Sequence, residues 1–184
     1  LFDENYWIDV MRFDKNEKSL THGIAYTLRG LFECSQYFEE DLKNQILKVV
    51  VNASEKIMYK YEISKKNPYA MPSDLAATFD KKWNSKSSFS CLTGNAQIAI
   101  VWLKLYKYNN DARLLNAALK IIDQLKMKQN LNSKNKGIRG GIAGSYPIWG
   151  AYMKFAYLNY AAKFFADALM LQESIMDTLT KENK

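Results

Sequence analysis

Ser90-Cys91-Leu92-Thr93-Gly94-Asn95-Ala96-Gln97 runs straight into an apolar stretch, residues 98–106. The small and polar residues mark a turn. Ile98, Val101, Trp102 and Leu105 then recur at helical spacing. The stretch predicts a helix over 93–108. Its start offers free N–H groups and the positive end of the helix dipole to polar or anionic ligands. Just beyond it, Asn109-Asn110-Asp111 reads as a tight turn with Asp111 as N-cap, opening a helix over 112–129 with Leu115, Ala118, Leu119, Ile122 and Leu125 along it. The two helices form an αα-hairpin.

The same layout, a polar cluster and then an apolar helix, precedes and follows this unit. Upstream, Ile24, Leu28, Leu31 and Phe32 predict a helix over 19–37, capped by Ser19 or Thr21, with Cys34 as a small buried residue. A second helix over 39–63 completes another hairpin. Downstream, four glycines between 137 and 144 make a flexible loop, followed by a helix over 152–176. The chain reads as one domain, 1–184: a docking segment 1–18, a hairpin 19–64, a loop 65–89, a hairpin 90–129, a glycine-rich loop 130–148 and a final helix 149–178. The 65–89 loop carries Pro68, Pro72, Tyr69, Met71, Phe79 and Trp83, more aromatic content than a solvated linker needs. No stretch reads as a β-strand, so the expected class is all-α. Hairpins that each leave an apolar face uncovered must stack or curl to bury it.

Composition narrows the function. Apolar residues make up 48% of the chain, which excludes a disordered protein. The net charge of +7 is spread over helix surfaces with acids interleaved, so no nucleic-acid partner is expected. One histidine excludes a multi-histidine metal centre, and no metal or cofactor is expected. No apolar run is long enough to span a membrane and none reads as a signal peptide, which points to a cytoplasmic location. Fourteen per cent aromatic residues, twelve of them tyrosine, suit a sugar or nucleotide cleft.

Three stretches together resemble a known group: 21–33 (THGIAYTLRGLFE), 90–97 (SCLTGNAQ), and 140–152 (GGIAGSYPIWGAY) with 157–169 (YLNYAAKFFADAL). They resemble the C-terminal half of a group of uncharacterised bacterial α/α-toroid proteins, similar to six-hairpin glycosidases and terpenoid-cyclase-like toroids. The resemblance implies a partial (α/α) toroid built from repeated hairpins. It also implies that the starts of the inner helices share one end and form a cleft. A ring this short is completed either by self-association or by an N-terminal half that precedes Leu1. A cyclase would need an aspartate-rich motif, and none is present.

The resemblance directs attention to polar residues near those helix starts. His22, Tyr26, Arg29 and Glu33 share one helix face by their spacing. Asp80, Trp83, Thr93 and Gln97 come from the second stretch, with Cys91 read as a packed thiol. Arg139, Trp149, Tyr152, Asn159, Lys163 and Asp167 come from the third, the last two at ion-pair spacing. A glycosidase needs two carboxylates flanking a sugar bond. Glu33, Asp80 and Asp167 are the candidates, with His22 as a further catalytic group. Tyr26, Arg29, Trp83, Thr93, Gln97, Arg139, Trp149, Tyr152, Asn159 and Lys163 are the candidate substrate contacts. The expected partner is a carbohydrate or polysaccharide intermediate, bound or hydrolysed. The alternative is a non-catalytic helical scaffold that binds protein.

Overall fold

The computed structural model describes residues 18–66 and 74–182. Residues 1–17, nearly all of the expected docking segment, lie outside the described residues, as do Pro68, Tyr69, Met71 and Pro72. The described chain is all-α, with five helices among the described residues: α1 (Thr21–Ser35), α2 (Glu40–Lys66), α3 (Leu92–Asn109), α4 (Ala112–Lys128) and α5 (Asn159–Glu182). The expected absence of strands needs correcting. β1 (Ser19–Leu20) pairs antiparallel with β2 (Thr78–Phe79), and β3 (Ser90–Cys91) with β4 (Ser145–Tyr146). Two-residue strands show no alternation in sequence. Their cause is the backbone just upstream of a helix, whose polar groups need partners.

α3 is the centre. Every residue from Leu92 to Leu103 is buried, which an amphipathic surface helix would not allow. It packs against α1, α4 and α5 and touches α2. Its first turn approaches α1 so closely that a Cβ on Gly94 would stand 2.8 Å from the backbone nitrogen of His22. The ends follow local chemistry. Cys91 Sγ accepts from the Gly94 N–H at the N-cap, and Asn110 takes the left-handed conformation at the C-cap. Asp111 caps α4, accepting from Arg113 N at 2.9 Å, as expected.

The start of α1 differs from expectation. Leu20 is the N-cap and makes no side-chain cap bond. Thr21 instead donates its hydroxyl to Ala76 O at 2.6 Å and its N–H to Ala77 O at 2.8 Å. The loop supplies what a capping side chain would. Cys34 is exposed, not buried. It stands four residues beyond Gly30 and eight beyond Tyr26 on the outward face of α1, and those two are exposed as well.

The last helix begins at Asn159, seven residues later than expected. Met153 and Phe155 hold φ of 49° and 58°, which breaks a helix before it can form. The segment is fastened instead to the glycine-rich loop, with Gly144 N on Ala156 O, Leu158 N on Ile142 O, and an Ala143–Tyr157 bridge. Side chains at corresponding heights show α1, α3 and α5 running parallel. His22 and Glu33 reach Gln97 and Lys104 on α3, and His22, Tyr26 and Arg29 meet Tyr160, Phe164 and Asp167 on α5. The starts of these three helices share one end. Among the described residues, no helix is long and apolar enough to cross a membrane.

Candidate functional site

The face shared by α1 and α5 gathers most of the residues singled out in the sequence. At its head is His22, half-buried among rings. It stacks on Tyr160 with planes 17° apart and centroids 6.0 Å apart. Tyr26, Tyr152 and Phe164 stand 6.2, 5.9 and 6.3 Å away. His22 Nδ1 donates to Gln97 Oε1 over 2.5 Å, which in the neutral ring leaves Nε2 as the acceptor. Gln97 is fully buried, and its Nε2 has no hydrogen-bond partner among the described residues. Such an orphan is uncommon in a native fold. The Tyr152 hydroxyl bonds that of Tyr160 at 3.2 Å and lies beside Thr93. Burial first, and then the Tyr160 hydroxyl, push the Tyr152 phenol well above its ordinary range, so it stays protonated.

Cys91 lies beneath this head. Burial pushes its thiol up to about 12, although N–H groups of Gly94, Thr93 and His22 pull the other way. The thiolate is the nucleophile in cysteine chemistry, so Cys91 is a packed thiol.

Two turns further along, an ion network ties three helices together. Arg29 Nε donates to Glu33 at 2.8 Å and Nη1 to Asp167 at 3.5 Å. Lys104 stands 3.1 Å from Glu33 and Lys163 2.6 Å from Asp167. Burial would raise the Glu33 carboxyl, but its bonds to Arg29 and Lys104 outweigh that and hold it below the ordinary value. Beside the network a groove of about 340 Å³ opens, lined by Tyr26, Arg29, Gly30, Glu33, Lys163 and Phe164. A Cβ built on Gly30 meets nothing within 4 Å, so the groove is open above that residue.

The other expected site residues are elsewhere. Asp80 Oδ1 accepts from Lys82 N and Asn84 N, both at 2.9 Å, and so closes a turn. Trp83 was expected as a stacking surface, but it is 1% exposed and its ring packs 6.1 Å from Phe79. It belongs to the core because a loop that long needs an apolar plug. Arg139 is exposed on the 130–141 loop, and Asn159 Oδ1 accepts from Tyr160 N at the start of α5. Trp149 is exposed on a different pocket of about 630 Å³, together with Tyr146 and a buried Asp74 paired with the partly buried Lys128 at 2.8 Å.

Sequence reasoning missed three members of the site. Tyr160 and Phe164 are one turn apart on α5, and both rings stand beside His22. Lys104 is two turns from Gln97 on the same side of α3, a spacing that could have found it. No protein-family model matches the chain, and no curated protein matches it.

Proposed function

We propose that the protein binds a carbohydrate ring in the groove between α1 and α5. The open groove beside fixed polar groups carries this reading. Tyr26 and Phe164 give it aromatic walls that suit the apolar face of a sugar. Arg29, Glu33 and Lys163 offer hydrogen bonds already held in place, which lowers the entropy cost of binding. Its volume falls in the range of small-molecule sites. The parallel α1, α3 and α5, with α2 and α4 as the hairpin partners of α1 and α3, are consistent with inner and outer helices of a partial α/α toroid.

Binding fits these residues better than hydrolysis. A glycosidase needs one carboxylic acid that keeps its proton to a raised pH. Glu33 is held in the opposite sense by two cations. The scaffold alternative has its own support in Tyr37, Phe38 and Leu42, all exposed where α1 turns into α2.

Gly30→Phe separates the readings. Its ring would occupy the groove without entering the core. Titration with neutral and acidic oligosaccharides, followed by chemical shifts of the single histidine, should show binding in the parent and none in the variant. Equal responses in the two proteins, or none in either, would remove the carbohydrate reading.

A further inference from the structure

We infer that the ring accepted by the α1/α5 groove carries an oxyanion, a carboxylate or a phosphate, and this rests on the groove being the binding site. The charges around it do not cancel. Three cations, Arg29, Lys104 and Lys163, share two carboxylates, Glu33 and Asp167, so one positive charge is left over. Each carboxylate is already held by two cations, and Arg29 is divided between both.

Arg29 also has donors to spare. A guanidinium has five N–H groups in a fixed fork. Nε and one N–H of Nη1 are used on Glu33 and Asp167. The other three have no partner among the described residues, while Arg29 itself lines the groove. The two carboxylates fix the orientation of the fork before any ligand arrives. An arginine held in this way suits the two-point recognition of carboxylate or phosphate.

Lys163 supplies the second positive contact. It borders the groove, is exposed, and has its Nζ 4.6 Å from the centre of the Phe164 ring. The ring wall thus stands directly beside the anion-seeking groups. A sugar could rest a face near Tyr26 and Phe164 and direct an acidic substituent at Arg29 and Lys163.

The test compares glucuronate, glucose 6-phosphate, glucose and inorganic phosphate on the whole chain, by calorimetry or histidine chemical shifts. Either acidic sugar should bind about tenfold tighter than glucose and lose that advantage as salt rises. Lys163→Gln, at an exposed position, should remove most of the advantage over glucose. Circular dichroism of the variant confirms that it folds. If glucose binds as tightly as both acidic sugars and Gly30→Phe blocks it, the anion inference falls and the groove reading stands. If no sugar binds, both fall. Phosphate matching glucose 6-phosphate keeps the anion and removes the sugar.

Discussion

Gly30 and Gly94 are both helical glycines with opposite surroundings. A methyl group at Gly30 meets open space, while at Gly94 it would press on the backbone of His22. Gly30→Ala should therefore stabilise the protein by about 1 kcal/mol through helix propensity alone. Gly94→Ala should destabilise it by about 1–3 kcal/mol, since neither backbone can give way. Urea unfolding of the two variants reads both signs, and two equal shifts would refute the contrast. The cysteines divide in a similar way. Cys34 is exposed, while Cys91 is buried with its thiol held protonated up to about 12. One thiol per chain should react with a disulfide reagent in the native state, and both after unfolding. Composition revealed neither distinction. Cys34 lies in an apolar helical run, and its outward direction became clear only once the neighbours of α1 were known.

Among the elements, α1, α3 and α5 are joined by the Arg29, Glu33, Lys104, Lys163 and Asp167 network as well as by apolar packing. The depressed Glu33 carboxyl gives this junction a pH dependence. Its contribution to stability is fully present above the ordinary carboxyl value of 4.5 and is lost as pH falls through the lower folded value. Groups this exposed are screened, so the effect is modest. The urea midpoint of the parent should drop between about pH 6 and about pH 3 by more than that of Glu33→Gln. Parallel declines would count against the network. Helix existence was legible here because apolar residues recur every three to four positions over long runs. The bounds of α3 and α4 lie within about a residue of their periodic patterns. The start of α5 was not legible. Left-handed backbone at Met153 and Phe155 leaves no mark on composition, and both residues look as apolar as the helix that follows.

At the scale of the whole molecule, the sequence conveyed the class and the common end of the parallel helices better than the site. His22, Tyr26, Thr93, Gln97 and Tyr152 do come together at that end, along with the charged stripe that follows. Asp80, Trp83, Arg139 and Trp149 do not. Each of these sits on a loop, and the paths of such loops depend on distant partners, such as β1 for the strand just before Asp80 and β3 for the strand just before Trp149. The short strands have a consequence of their own. β3–β4 and the Leu92 N to Gly144 O bond attach the leader of α5 to the start of α3, and α5 itself packs along α3. The covalent thread between α4 and that leader passes through exposed Lys134 and Lys136. Trypsin cutting there should yield two pieces on a denaturing gel and a single particle on a native sizing column. The protein would then be a two-part assembly, and the C-terminal piece, made separately, should restore the cut or truncated partner by complementation.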